Sequence, residues 1–290
     1  MKKNLKKVQK LMLISLACLT LFSCDKNEEE SDEIISNELV ITQTELQFSD
    51  ESEMISEEIT AIAEDVYATD EIIYTSKGSY FSDYLPECVT ITTVVTETSR
   101  EKTIDFGEGC ELPNGNILGG IISLSYARDM ELAEKTITLN LEKFTFNSVS
   151  IEGGANILRV RSNENGNPQS TADASFSAVW PEGETATFEG ERTREWIEGY
   201  GSGFWGDNVF LITGKRTFNN KVGNTFEKEV LSPLRRELSC RFIVSGVLSI
   251  SRNNANVSLD FGDGECDAKG TLTYTDGSSD EVFLRRFLKN

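Results

Sequence analysis

Regular alternation of apolar and polar residues, from about residue 72 to the C-terminus, is the feature that most limits the fold of this chain. In residues 89–94 (VTITTV) and 137–141 (ITLNL), every second side chain falls on one face, as in half-buried strands. Turn-forming Asn, Gly, Pro and Asp residues separate the runs. We therefore expect an all-β domain over residues 72–290, an antiparallel β-meander that forms a curved sheet or a two-sheet sandwich. A closed barrel is the further alternative.

Internal glycines interrupt several of these runs and indicate strong curvature. Glycine within a strand often marks a β-bulge or a bend, because it tolerates backbone angles that other residues avoid. The positions are Gly153, Gly190, Gly214 and Gly246.

One helical pattern precedes the β domain. Apolar residues recur at i, i+4, i+7 and i+11 along a single stripe, namely Ile55, Ile59, Ile62 and Val66. Asp50, with Glu53 three residues later, resembles a capping box and places the start of the helix there. We expect a short amphipathic helix over residues 49–68 that packs on the β domain, with partner binding as the alternative.

The N-terminus carries an export signal. Lysines precede an apolar run at residues 11–22, which is too short for a bilayer span of about 20 residues and is typical of a signal peptide over residues 1–23. The run ends in Leu-Phe-Ser-Cys, which resembles a lipobox and predicts lipidation of Cys24; Cys18 is a weaker candidate. Residues 24–48 are rich in acids and predict an extended tether.

Two stretches of the β region, residues 88–126 and 240–274, share one plan in the same order. Each begins with a cysteine, continues into two strands, closes the second strand with Asp-Phe-Gly-acidic-Gly, and then reaches a second cysteine. A glycine and a third strand ending in tyrosine complete each unit. We interpret the two stretches as a duplicated three-stranded unit.

The duplicated plan also predicts the disulfide pairing. In each unit the cysteines flank a hairpin whose turn lies midway between them, so the two ends of the hairpin return to the same place. Export delivers the chain to an oxidising compartment. We expect Cys88–Cys110 and Cys240–Cys266, and not a four-cysteine metal site, since the chain has no closely spaced cysteine pair.

The Asp-Phe-Gly segments predict structural turns. Glycines permit positive φ, the Phe ring enters the core, and the Asp side chain accepts hydrogen bonds from turn amides. A calcium site is the alternative, because carboxylates cluster in the second copy. The weak candidate ligands are Asp260, Asp263, Glu265 and Asp267.

Composition excludes several functions. The chain contains no His, which rules out Ser-His-Asp and Cys-His catalysis and any His-bearing metal site. A formal charge of −20 argues against nucleic-acid binding, because a phosphate backbone requires a basic surface. We expect no cofactor.

An aromatic stretch near the middle of the chain is the candidate ligand-binding feature. Trp196, Tyr200 and Trp205 would stack on sugar rings if they were exposed, whereas the alternative places these rings in the core. Carboxylate-based hydrolysis would need two facing carboxylates in a cleft, and the many acids of the β region do not single out a pair.

The lipobox, the lysine and acidic run after Cys24, and the duplicated Cys…Asp-Phe-Gly units resemble surface-exposed outer-membrane lipoproteins of the Bacteroidota. The resemblance implies a lipid-anchored protein of the outer membrane that faces the cell surface, and it implies no activity. We therefore expect a non-enzymatic binding or scaffold protein whose partner is an envelope protein or a polysaccharide. A glycan-binding accessory lipoprotein is the alternative, and a carboxylate-based hydrolase is the third candidate.

Overall fold

The computed structural model describes residues 41–253 and 255–284. Within them, one helix, α1 (Gln43–Ser76), precedes fourteen strands, and a short 3₁₀ turn at Trp205–Asp207 lies between β8 and β9. The strands are β1 (Thr90–Val95), β2 (Ser99–Asp105), β3 (Cys110–Glu111), β4 (Ile117–Ala127), β5 (Glu134–Phe146), β6 (Val149–Val160), β7 (Gln169–Val179), β8 (Thr185–Glu198), β9 (Val209–Asn220), β10 (Thr225–Glu237), β11 (Ile243–Arg252), β12 (Ala255–Asp263), β13 (Lys269–Tyr274) and β14 (Ser279–Phe283).

These strands form a single sheet in which neighbours pair antiparallel. The order is β1-β2-β4-β5 and then consecutively to β14, while the two-residue strand β3 pairs with β4 beyond the end of β2. The sheet is curved and unclosed, so β1 and β14 form its two edges. The predicted antiparallel all-β architecture is confirmed, in the form of a curved sheet and not a sandwich.

Glycines bend the strands at the positions that the sequence indicates. Gly153, Gly190, Gly214 and Gly246 all adopt positive φ within their strands. At Gly190, φ is +129° and an added Cβ would lie 2.6 Å from the carbonyl oxygen of Lys215. Any larger residue would therefore force β8 and β9 apart at this bend.

The helix α1 is longer than the segment 49–68 that the apolar stripe predicts. The Thr42 hydroxyl accepts a hydrogen bond from the Glu45 amide, and the Glu45 carboxylate accepts one from the Thr42 amide at 3.0 Å. The capping box is therefore at Thr42 and not at Asp50, so residues 43–48 of the predicted tether are helical. The signal peptide, Cys24 and the tether up to residue 40 lie outside the described residues.

The curved sheet wraps around α1 and, together with the segment that leads into β1, buries the helix over most of its length. All residues from 49 to 68 are buried, including the stripe of Ile55, Ile59, Ile62 and Val66. The polar side of the helix is also buried, because it meets basic side chains of the sheet. In the part of the chain that is described, no helix has both the length and the hydrophobicity to cross a bilayer.

The duplicated units occupy two separate regions of the sheet, with β1, β2 and β4 in one unit and β11, β12 and β13 in the other. Both predicted disulfides are confirmed, with Cys88 bonded to Cys110 and Cys240 bonded to Cys266. Each bridge ties the segment that leads into its hairpin to the segment that leaves it.

The Asp-Phe-Gly segment forms the same turn in both copies. The Asp105 carboxylate accepts a hydrogen bond from the Gly107 amide at 2.8 Å, and the Asp260 carboxylate accepts one from the Gly262 amide at 2.9 Å. The intervening Phe ring is buried in each copy, and the glycine that follows has positive φ. The structural-turn interpretation is therefore confirmed.

Candidate functional site

The inward face of the sheet is unusually basic. Lys and Arg side chains alternate with outward residues on several strands and point at α1, which has ten acidic residues and no basic one. These bases are Arg100, Lys102, Lys135, Arg159, Arg192, Arg194, Arg216, Lys228, Arg236 and Arg252. Burying a charge is costly unless it is paired, so the ion pairs between these bases and the acids of α1 stabilise both sets of charges.

Glu53 shows how the middle of α1 is held. Its carboxylate lies 2.8 Å from Arg192, 2.8 Å from Lys228 and 3.3 Å from Arg216, which come from β8, β10 and β9. Burial alone would raise the pKa of Glu53, but the charges of the three bases outweigh it and hold the pKa well below its usual range. Glu53 is therefore a buried, ionised anchor and not a proton donor.

Glu58 joins two parts of the chain that are far apart in sequence. Its carboxylate accepts hydrogen bonds from Asn114 at 3.0 Å and Asn116 at 3.0 Å, and it pairs with Arg236 of β10 at 3.3 Å. The Tyr84 hydroxyl also donates to this carboxylate. The loop between β3 and β4 and the end of β10 thus meet on one carboxylate of α1.

The C-terminal third of α1 repeats the arrangement. Asp70 lies 2.6 Å from Arg100 and 2.8 Å from Lys102, and Glu71 lies 3.2 Å from Arg159. These paired carboxylates are buried, so they hold the helix in place and offer no open pair of acids for hydrolysis.

The predicted aromatic ligand site is wrong in its central feature. Trp196 is only 2% exposed and packs edge-to-face on Tyr200 with ring centroids 5.0 Å apart. Tyr200 is half-buried, and its hydroxyl donates to Glu71 at 2.7 Å; Trp205 is also half-buried and packs against the core. Trp196 points inward because it follows Arg192 and Arg194 at two-residue steps along β8. These rings fill the interior and do not form an exposed stacking surface.

The predicted calcium candidates do not form a metal site either. Asp260 accepts from the Gly262 amide, and Asp267 accepts from the Lys269 amide at 3.0 Å, so both carboxylates serve local turns. Asp263 and Glu265 are exposed in the same loop. Across the described residues, no group of three acidic, cysteine or histidine side chains is arranged to hold a metal ion.

The strand bends create a groove on the outward face of the sheet, across β7 to β12, with a volume of about 700 Å³. We call it the outer groove. Its outward side chains are almost all polar: Asp173, Ser175, Glu189, Lys215, Thr217, Glu227, Glu229, Ser249, Ser251 and Asn256. Strand register places Ser175, Glu189, Thr217, Glu227 and Ser251 side by side in one row across five strands.

The outer groove is electronegative. Lys215 is its exposed base, and it pairs with Glu229 at 2.8 Å. In the described part of the chain, Asp173, Glu189 and Glu227 have no ion-pair partner within 4.0 Å. Neighbouring strands are about 4.8 Å apart, so Glu189 and Glu227 lie roughly 10 Å from each other on either side of Thr217. The groove can therefore receive a ligand with positive charges spaced along an extended chain.

Comparison with known protein families, curated proteins and solved structures finds no match for this chain. The chemistry of the outer groove therefore rests on its own geometry. The sequence pattern that points to the groove is the outward pair of acids at alternate positions of β8 and of β10, which by itself is also typical of a solvated strand face.

Proposed function

We propose that the protein is a lipid-anchored, non-enzymatic binding protein of the outer membrane, and that its outer groove binds an extended, positively charged segment of another envelope protein. The observation that supports this proposal most directly is the trio of unpaired carboxylates, Asp173, Glu189 and Glu227, within one groove. Complementary charge speeds the encounter with a basic partner and sets its register. The lipobox at Cys24 supports the membrane anchor.

A protein segment suits the outer groove better than a glycan does. The lining residues include no aromatic ring on which a sugar could stack, and their charge favours a cationic ligand over a neutral one. Ser175, Thr217 and Asn256 nevertheless offer hydroxyl and amide groups for hydrogen bonds to sugars, so the glycan-binding alternative has its own support. The two candidates differ in how strongly binding depends on salt.

The frame beneath the groove is suited to preorganised binding. Arg216 and Lys228 belong to the strands that line the groove, and their side chains point inward and are fixed by Glu53. Strands that are already fixed by these ion pairs lose little conformational entropy when a ligand binds, which favours affinity.

The first test is binding of a fluorescently labelled, arginine-rich peptide to the purified protein, followed by anisotropy. We expect Glu189→Gln/Glu227→Gln to weaken binding about tenfold and raised salt to weaken it further. The matched control is Glu134→Gln/Glu142→Gln, which removes two acids of β5 outside the groove and should change the affinity less than about twofold. Equal losses in the two variants would contradict the proposal.

A parallel titration with neutral oligosaccharides separates the glycan-binding alternative. Saturable, salt-independent binding of a sugar that is lost in the Glu189→Gln/Glu227→Gln variant would favour that alternative and overturn the peptide-binding proposal.

The lipid anchor is tested separately by incorporation of radiolabelled palmitate, which we expect Cys24→Ser to abolish and Cys18→Ser to preserve. Labelling that depends on Cys18 would contradict the assignment of the lipidated residue.

A further inference from the structure

Asp65 differs from the ion-paired acids along the buried length of α1. It is 6% exposed, and its carboxylate accepts a hydrogen bond from the Ser82 hydroxyl at 2.7 Å. Glu53, Glu57, Glu58, Glu64, Asp70 and Glu71 each have a base within ion-pair distance. For Asp65, the described residues provide none. A buried carboxylate without a cation is costly, so its position calls for an explanation.

Asp65 lies in the wall of a cavity of about 360 Å³. The cavity is bounded by α1, by the segment 80–91, and by Lys102 of β2, and it is separate from the outer groove. Most of its wall is apolar, formed by Val66, Leu85, Pro86, Val89 and Ile91. Tyr80 and Phe81 add two aromatic rings, and Phe81 is 76% exposed at the edge of the cavity.

The charged groups around the cavity do not neutralise the negative charge of the Asp65 carboxylate. Lys102 is the base in its wall, but the Lys102 ammonium is bound to Asp70 at 2.8 Å. Glu87 lines the cavity as a second acid, and the charge of nearby Asp83 acts on Asp65. Burial and the negative charges of Asp65, Asp207 and Asp83 raise the pKa of the Tyr80 hydroxyl. The net field therefore favours a cation at the Asp65 carboxylate.

We propose that this cavity binds a small organic ammonium ligand, with the ammonium group on the Asp65 carboxylate and an apolar or aromatic body against Val66, Leu85 and Phe81. Such a ligand supplies the positive charge that Asp65 lacks and fills the apolar volume at the same time. A metal ion fits less well, because calcium and magnesium need several oxygen ligands and the cavity places one buried carboxylate at its wall.

Protonation of Asp65 provides an independent signature of such binding. The pKa of Asp65 is raised to about 6, chiefly by burial; the Ser82 hydroxyl acts to lower it and the charge of Asp83 acts to raise it. Only the ionised carboxylate attracts an ammonium group. From about pH 7 to about pH 5 the ionised fraction falls about tenfold, so the apparent affinity falls by the same factor.

The test compares phenethylamine with phenethyl alcohol, which has the same body without the charge, by calorimetric titration of the purified protein. We expect the amine to bind at least about tenfold more tightly than the alcohol near pH 7.5, and this preference to fall about tenfold near pH 5. Asp65→Asn should abolish the preference at both pH values, whereas Glu87→Gln should preserve it. Equal affinity of the wild-type protein for amine and alcohol would overturn the proposal, as would an unchanged amine preference in Asp65→Asn.

A second measurement needs no variant. Carbon NMR of the Asp65 carboxyl group should show its pKa falling when phenethylamine is added, because the bound ammonium favours the ionised form. An unchanged titration at saturating amine would contradict the proposal. The Glu189→Gln/Glu227→Gln variant should retain amine binding at the cavity, so failure here and failure of the outer-groove proposal are distinguishable.

Discussion

Glu58 concentrates several long-range contacts on one buried carboxylate. Its replacement by alanine removes the acceptor for Asn114 and Asn116 and leaves the Arg236 guanidinium buried without its charge partner. Breaking a buried pair in this way costs about 3–5 kcal/mol. We expect Glu58→Ala to lower the free energy of unfolding by that amount in urea titrations followed by circular dichroism.

The matched control is an ion pair on the outward face. Lys215 and Glu229 are 72% and 49% exposed, and solvent screens their attraction. Glu229→Ala should therefore lower the free energy of unfolding by less than about 1 kcal/mol. A similar loss in both variants would show that enclosure does not govern the strength of these pairs.

Asp65 makes stability fall as pH rises, in contrast to Glu53, whose pKa the surrounding bases hold below its usual range. Its pKa of about 6 in the folded protein exceeds the usual value of 3.8, so the folded state holds this proton more tightly than the unfolded state. Ionisation between about pH 4 and pH 6 therefore costs the folded state about 3 kcal/mol. We expect Asp65→Asn to stabilise the protein by up to that amount near pH 7.5 and to have little effect near pH 4. Urea titrations at both pH values check this, and a pH-independent difference would refute it.

At the scale of elements, α1 depends on the sheet for its conformation. Acids one turn apart, such as Glu53 and Glu57, repel each other in an isolated helix. We expect a synthetic peptide of residues 41–77 to be largely unfolded at neutral pH and to gain helix when acid neutralises its carboxylates, as measured by far-UV circular dichroism. The control peptide carries Gln at Glu53 and Glu57, which lie one turn apart, and should show a smaller pH dependence. Identical helix content of the parent peptide at both pH values would contradict this account.

Local patterns were sufficient to predict the strands, the structural turns and both disulfides. Alternation, turn residues and the repeated unit all involve residues that are close together in the sequence. The enclosure of α1 was not predictable in this way. Arg192 and Arg194 alternate with outward acids on β8, so they resemble part of a solvated strand face. Arg192 meets Glu53 only across 139 residues of chain, and no local pattern encodes that contact.

The candidate sites likewise depend on contacts between distant segments, which local sequence patterns do not predict. The inward position of Trp196 follows from the strand parity that it shares with Arg194, but parity alone does not say which face of a strand is buried. The outer groove requires the register of several strands at once, since Glu189, Thr217 and Glu227 come from β8, β9 and β10. The Asp65 cavity likewise requires α1, the segment 80–91 and β2 to meet.

For the whole molecule, the two disulfides stabilise through separate loops of similar length. The bridges Cys88–Cys110 and Cys240–Cys266 span sequence separations of 22 and 26 residues. Restricting the unfolded chain in this way is worth about 3 kcal/mol per bridge. We expect each Cys→Ser pair to lower the free energy of unfolding by about that amount, and the fourfold variant to lower it by about the sum, because the loops do not overlap. A fourfold variant as stable as either pair would contradict independent action.

The enclosed position of α1 also dictates when the molecule can fold. The helix precedes every described strand, so its residues leave the ribosome and any export channel before them. Yet Gln47 donates a hydrogen bond at 2.9 Å to the carbonyl of Phe283, which lies 236 residues later. The first element to be made is thus among the last to find its partners, and such distant contacts form slowly. A chain whose opening segment repels itself until the closing strands arrive therefore leaves this segment unstructured until its synthesis is nearly complete.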